Sequence, residues 1–329
     1  MLNSLLALAQ QPRIAPTEGD FWFPPQASSF ASKIDADYYF IYWVSAFFVL
    51  VIAGVLVLFT LKYHTKKNPK AERTSTHNTP LELAWSILPG IVLLYMFVLG
   101  FEGYTDLRSP PSNAVNVDVT AQKWAWTFTY PNGVVHDELH VEKDQPVQLT
   151  LSSVDVIHSF WVAAFRTKMD AVPGRYTKLW FQPTMTGEFW AQCTEYCGTN
   201  HSMMRAKVVV HEPGGLAKWL AVEGDPHGGG RTPAQAGEKI YKIQGCAACH
   251  TLDGSKLTGP SFKGLFGRQE QMLDGSTITA DENYIRESIL NPQAKIVSGY
   301  GPVSAMPTFQ GRVKDNDIAA LIAFLRTVK

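Results

Sequence analysis

The chain has 329 residues, enough for two soluble domains and additional segments, and 46% of them are hydrophobic. Lysine plus arginine equal aspartate plus glutamate at 29 each, so the formal net charge is zero and no excess of basic charge marks a nucleic-acid binder. The four cysteines, Cys193, Cys197, Cys246 and Cys249, all fall within two short metal-type motifs, which leaves no thiol for a structural disulfide.

Residues 1–36 form an N-terminal arm. Its opening run L-L-A-L-A-Q is apolar but lacks a basic start and is too brief to span a membrane, which fits a processed signal or an amphipathic start. The arm has no cysteine, so lipid attachment at a processed amino-terminal cysteine is excluded. F-W-F-P-P reads as an interfacial or subunit-packing segment. Residues 37–63 and 81–104 are two apolar runs long enough to cross about 30 Å of hydrocarbon, with tyrosine and tryptophan near their ends. The loop between them, 64–80, with Lys62 just before it, carries Lys66, Lys67, Lys70 and Arg73, which places it on the cytoplasmic side and both flanks of the hairpin outside. Glu82 opens the second run, where a carboxylate favours the positive end of a helix dipole.

After Pro110 and Pro111 the pattern changes to period-two alternation, as in V-N-V-D-V-T, W-A-W-T-F-T-Y and V-Q-L-T-L-S, separated by P-N-G, P-G-R and M-T-G-E turns. Residues 113–211 are therefore expected to form an all-β antiparallel sandwich, with Trp124, Trp126, Phe128 and Tyr130 alternating on one strand and most of them packed into its core. At its end lies C-T-E-Y-C-G-T-N-H-S-M-M, Cys193 to Met204. Two thiols, an imidazole and a thioether on one loop are a copper inventory, and two bridging thiolates can hold two copper ions that share an electron. His158, which ends an apolar run upstream, is the candidate for a second histidine. Cys193 and Cys197 taken alone could equally be a disulfide or half of a zinc site, although methionine is an odd zinc ligand. Met203 rivals Met204.

Residues 212–232 read as a mobile glycine- and proline-rich tether with one helical turn near Trp219. In 233–329, C-A-A-C-H, Cys246 to His250, reads as a c-type haem attachment motif: the thiols add to haem vinyl groups and the histidine ligates iron. Zinc ribbons and redox pairs also contain C-x-x-C-H. Gly237 and Tyr241 sit on one amphipathic helix pattern, and D-N-D-I-A-A-L-I-A-F-L-R forms another. This pair resembles that of small cytochromes c, in which two such helices cross at a small residue, and an all-α domain is the expectation.

The loop C-x-E-x-C-G-x-x-H-x-x-M resembles the binuclear copper (CuA) loop of subunit II of haem-copper cytochrome c oxidases. That resemblance implies a cupredoxin sandwich, bridging Cys193 and Cys197, terminal His158 and His201, axial Met204, and copper ligation by the Glu195 carbonyl. It also implies magnesium or manganese on the Glu195 side chain at a subunit border. Leu81, Glu82, Trp85 and Pro89 match a family pattern in which the glutamate stands at a proton-uptake route. Trp124 takes the place of a surface tryptophan that passes electrons to copper, but Lys123 is inserted before it and Ala125 replaces the usual aromatic residue. Met169 to Arg175, M-D-A-V-P-G-R, matches a family segment expected to face the membrane subunit.

The last domain resembles class I cytochromes c, which implies Pro260 as support for His250 and Met306 as the distal iron ligand, with Met272 its rival. Both domains on one chain are similar to the cytochrome-c-fused, caa-type branch. The resemblance implies an electron-inlet subunit of a terminal oxidase in the bacterial inner membrane, with its copper and haem c domains on the periplasmic side. Electrons from an external donor would pass through haem c and copper to haem a of subunit I, and a further neighbour would be subunit III. Neither apolar run contains the histidines that oxygen reduction needs, so oxygen chemistry and proton pumping fall to the partner. A copper subunit of a nitric oxide reductase and a stand-alone membrane-anchored carrier are the competing readings.

Overall fold

A computed structural model describes residues 19–70, 75–222 and 225–329. The signal-like start and Arg73 lie outside the described residues.

Residues 30–110 form one compact unit, a helical hairpin. Helix α1 spans Ala31–Lys62 and α2 spans Thr79–Arg108. Thirty helical residues extend about 45 Å, more than the hydrocarbon thickness. The apolar side chains along both helices are mostly exposed, which suits lipid rather than water as their solvent. Helix α1 starts ahead of the apolar run and α2 outlasts it, because Asp35, Asp37, Asp106 and Arg108 take helical positions outside the hydrophobic stretch. Lys33 pairs with Asp106 at 2.8 Å, and the rings of Phe40 and Tyr95 meet edge to face at 5.2 Å. Asn78 caps α2 by accepting the Leu81 N–H at 3.3 Å, while Glu82 accepts the Asn78 N–H at 3.0 Å.

The second unit begins with an extended arm. Ala27 N–H donates to the Ala164 carbonyl (2.9 Å), Ser28 Oγ–H to the Phe165 carbonyl (2.8 Å), and Arg166 to the carbonyls of Pro24 and Pro25 (2.8 and 3.3 Å). The arm thus docks on its own sandwich.

The sandwich has ten strands: β1 Val115–Gln122, β2 Ala125–Thr129, β3 Val135–His136, β4 Leu139–Glu142, β5 Val147–Ser153, β6 His158–Val162, β7 Thr167–Ala171, β8 Thr177–Phe181, β9 Gly187–Cys193 and β10 Arg205–His211. They form two five-stranded sheets, ordered β3-β2-β1-β5-β8 and β4-β10-β9-β6-β7. Most pairings are antiparallel as the alternation predicts, but β1 with β5 and β4 with β10 are parallel. The chain leaves each sheet and returns to it between those partners, so they meet in the same direction. Inward positions such as Val119, Trp126, Phe128, Leu149, Phe160 and Phe181 are buried and make the core. All four aromatics of the Trp124 to Tyr130 series are buried in it.

Helix α3, Gly215–Val222, opens the stretch expected to be a free tether. It is held to the sandwich, with Trp219 stacked on His140 at 3.7 Å.

The last domain contains α4 Pro233–Ile243, a hairpin of β11 Gln269–Gln271 and β12 Thr277–Thr279, α5 Glu282–Leu290 and α6 Asp315–Leu325. Thr232 and Gln235 form a capping box at the start of α4. Helices α4 and α6 cross where Gly237 meets the Ala320 backbone, and a Cβ on residue 237 would stand 2.7 Å from Phe324 Cβ. A larger residue must push the helices apart. Gly237→Val is expected to destabilise this domain by about 1–3 kcal/mol, the usual cost of overpacking. Denaturant unfolding followed by circular dichroism checks this, and an unchanged midpoint would disprove the tight crossing.

Candidate functional site

Strand β9 delivers Cys193 at its last residue, and the following loop returns through a 3₁₀ turn, His201–Met203, to β10. The Cys193 N–H donates to the Met204 carbonyl at 3.0 Å, which closes the loop at its base. Strand β6 pairs Phe160 with Cys193, and Thr194 N–H donates to the Ser159 carbonyl at 3.0 Å. That register sets His158 beside the thiols.

The donors converge. Cys193 Sγ lies 3.8 Å from Cys197 Sγ and 3.9 Å from His158 Nδ1, Cys197 Sγ lies 3.4 Å from His201 Nδ1 and 3.8 Å from Met204 Sδ, and the Glu195 carbonyl is 3.2 Å from Cys193 Sγ. Both thiols are free and stand far outside disulfide bonding distance. Met204 is 1% exposed and Met203 63%, so the thioether beside the thiols is that of Met204. The Glu195 side chain is exposed. Two thiols flanked by two imidazole nitrogens, a thioether and a carbonyl fit a soft-metal pair, and they fit copper better than zinc.

The second nitrogen of the His158 ring is engaged: Nε2–H donates to Asp155 Oδ1 at 2.8 Å, and Asp155 also accepts the Lys123 N–H at 2.7 Å. Burial alone would lower the His158 pKa, but the hydrogen bonds and charges of Asp155 and Cys193 together outweigh it and raise it. The thiols are opposed. Burial pushes Cys193 up, yet hydrogen bonds from His158 and the Ser159 backbone bring it down to about 6. Burial and then the Cys193 charge push Cys197 up to about 12. Without metal one thiolate forms readily, and the second needs a cation beside it.

The second site is a cleft with about 1210 Å³ of atom-free space, part of it open to solvent, lined by Cys246, Cys249, His250, Pro260, Met306 and Tyr300 among others. His250 Nδ1–H donates to the Pro260 carbonyl at 2.7 Å, and its ring stacks on Phe262 at 4.3 Å. A Cβ on Gly259 would stand 2.8 Å from His250 Nδ1, so only glycine lets that loop approach. Burial lowers the His250 pKa and keeps the imidazole neutral, the form that ligates iron. Met306 lines the cleft, whereas Met272 bridges to Val297 and does not line it. Two thiols, a neutral imidazole and a thioether around an apolar cleft fit a covalent haem.

The two sites adjoin. Asn200 in the thiol loop donates from Nδ2 to the Ala248 carbonyl at 3.3 Å, inside the C-A-A-C-H motif. Gln122 Nε2 donates to the Gln244 carbonyl at 2.9 Å, and Arg312 Nη1 donates to Gln122 Oε1 at 2.9 Å. Gln122 and Lys123 from the sandwich line the haem cleft. A Cβ on Gly245 would stand 2.5 Å from Ala125 Cβ, so this glycine permits the close approach. Trp124, expected at the surface, is 9% exposed and belongs to the buried cluster of the sandwich, against which Ala248 and Cys249 also pack. Its Nε1–H donates to the Cys197 carbonyl at 3.2 Å. Sequence reasoning missed Asp155, Gln122, Gly245 and Arg312, which no metal or haem motif contains. Glu82 stands at the start of α2, in the helical unit.

Two membrane-type helices bearing a soft-metal loop and a haem cleft are the build of a membrane-bound redox subunit. Residues 16–102 match cytochrome c oxidase subunit II, transmembrane domain; residues 132–212 match the periplasmic domain of the same subunit; residues 234–329 match cytochrome c. The chain is 30% identical over 271 residues to cytochrome c oxidase subunit 2 of Cereibacter sphaeroides, covering 67% of this chain and 87% of that one. It is 28% identical over 300 residues to cytochrome c oxidase subunit 2 of Alkalihalophilus pseudofirmus, covering 87% and 84%. The crystal structure of the periplasmic domain of subunit II of cytochrome oxidase of Bradyrhizobium japonicum aligns at 29% identity and a TM-score of 0.32, covering 34% of this chain and 94% of that one. The chain belongs to the cytochrome c oxidase subunit II family, in its cytochrome-c-fused form. It is an inner-membrane protein with its soluble part on the far side, and its families imply CuA copper, haem c and a catalytic oxidase subunit as partner.

Removing the carboxylate that orients His158 tests the copper loop. Asp155→Ala is expected to weaken copper retention about 10–100-fold, as loss of a supporting hydrogen bond to a ligating histidine does. Copper content after graded chelator treatment checks it, and unchanged retention would show that Asp155 does not act through His158.

Proposed function

We propose that this chain is the electron inlet of a terminal respiratory oxidase, taking electrons at haem c, handing them to the binuclear copper and passing them to haem a of the catalytic subunit. The observation that carries this reading is the seating of the C-A-A-C-H segment on the thiol loop, through Asn200 and Ala248. Subunit III as a neighbour, and the coupling to oxygen reduction and proton pumping in the partner, belong to the same proposal.

When bound, haem c and a copper pair would supply one-electron carriers. The residues of the chain do the rest. Cys193, Cys197, His158, His201, Met204 and the Glu195 carbonyl would hold the copper pair. The exposed Glu195 carboxylate would face magnesium or manganese at a subunit border. Cys246 and Cys249 would hold the haem, with His250 and Met306 on its iron. Pro260 fixes the His250 ring through Nδ1, which leaves Nε2 for ligation. Arg312, Gln122 and Gly245 hold the two domains in contact. Trp124 joins the sandwich to the thiol loop through the Cys197 carbonyl and lies on the side where electrons would enter. Glu82, partly exposed at the start of α2, would serve proton uptake by the partner.

Two experiments test this. Cys197→Ser is expected to abolish the mixed-valence copper spectrum in the near infrared while leaving the haem c band intact; retention of that spectrum would reject bridging thiolates. Gly245→Val is expected to slow electron transfer from haem c to copper, because a side chain there would collide with Ala125, push the C-A-A-C-H segment off the sandwich and lengthen the transfer distance. Flash-induced kinetics on the intact complex measure it, and an unchanged rate would reject the docked route.

A further inference from the structure

A second cluster of ligand-type side chains lies in the sandwich and uses none of the copper or haem residues. His136 ends β3, Glu138 follows in the connection, and His140 lies in β4, so alternate residues of H-D-E-L-H converge. One ligand atom from each lies within 4.8 Å of the others. His136 and His140 are buried, and Glu138 is partly exposed, which leaves a way in from solvent.

Both imidazoles have a second partner. His136 Nδ1 is 3.3 Å from Asp137 Oδ1, and His140 Nδ1 is 2.8 Å from His211 Nε2. His140 Nε2 points at Glu138 Oε2, 3.1 Å away. His140 fits the way metal-binding histidines are commonly built, with one nitrogen for the ion and the other on an acceptor that fixes the tautomer, whereas His136 Nδ1 accepts the Glu138 N–H at 3.0 Å. Trp219 holds the ring of His140 in place by stacking at 3.7 Å and meets His136 edge-on at 5.0 Å.

We propose that His136, Glu138 and His140 form a zinc site, with Asp137 and His211 orienting the two imidazoles. Two imidazoles and a carboxylate without a thiolate suit Zn²⁺. Zn–N and Zn–O distances of about 2.0–2.1 Å set tetrahedral donors about 3.3 Å apart, so modest side-chain rotation draws these three onto one ion. His136 would take it through Nε2, and Nδ1–H would then donate to Asp137 in place of accepting the Glu138 N–H, which now lies 3.0 Å away. The fourth position stays open on the Glu138 side. The ion would tie the β3–β4 corner, through His211 and Trp219, to the end of β10 and to α3, where the connection to the haem domain starts.

The test uses the full-length chain in detergent, loaded with copper and haem, stripped of loose metal and dialysed against zinc chloride. Elemental analysis is expected to give one zinc per wild-type chain beyond the copper and iron, and none in Glu138→Gln or His140→Phe, the second of which keeps a ring against Trp219. Copper and haem content should be unchanged in both variants, which separates this result from failure of the electron-inlet reading. Asp137→Asn, with all three donors intact, is expected to weaken zinc binding about 10–100-fold. X-ray absorption at the zinc edge should show two imidazoles. No zinc retained by the wild type, or equal retention in wild type and Glu138→Gln, overturns the proposal.

Discussion

The pairing of β9 with both β10 and β6 is the constraint on which the rest of the molecule depends. Cys193 is the last residue of β9, Met204 immediately precedes β10, and the hydrogen bond from Cys193 N–H to the Met204 carbonyl clamps the two ends of the thiol loop. On the other side, Phe160 opposite Cys193 sets the register that brings His158 in from β6. A slip of one residue would turn the face of every side chain and carry His158 away from the thiols. The loop itself has little regular structure, so its donor positions are borrowed from the sheet.

A rigid frame of this kind has an electrostatic consequence. His158 is wholly buried with its Nε2–H on Asp155, and that carboxylate is itself held by backbone N–H groups of Lys123 and Val156. The ring orientation is therefore set before any metal arrives. The two thiols compete for one negative charge in a space that burial makes costly, and a cation resolves the competition. His250 in the haem cleft follows the same plan, with Pro260 in place of Asp155.

The sandwich and the haem domain meet through a few directional contacts. Gln122 is the central one: its amide donates to Gln244 and accepts from Arg312, so one side chain at the end of β1 touches both the end of α4 and the segment before α6. Asn200 and Ala248 then join the metal loop to the haem motif. Gly245 lets the backbones come together where any Cβ would collide with Ala125.

Much was legible in the sequence. Apolar run length marks the two membrane helices, period-two alternation marks β1, β2, β5, β8 and β10, and the spacing of soft donors in Cys193 to Met204 and of C-A-A-C-H marks the two sites, because local chemistry and local periodicity are written in consecutive residues. Strands β3, β4, β6, β7 and β9 were harder to see: they are short or interrupted by polar residues that serve the sites, as His158 and Cys193 do. The parallel pairings, the support of His158 by Asp155, the burial of Trp124 and the convergence of His136, Glu138, His140 and His211 were decided only by tertiary structure. Each depends on which distant segment packs alongside or on which way a side chain faces, and neither is specified by spacing along the chain.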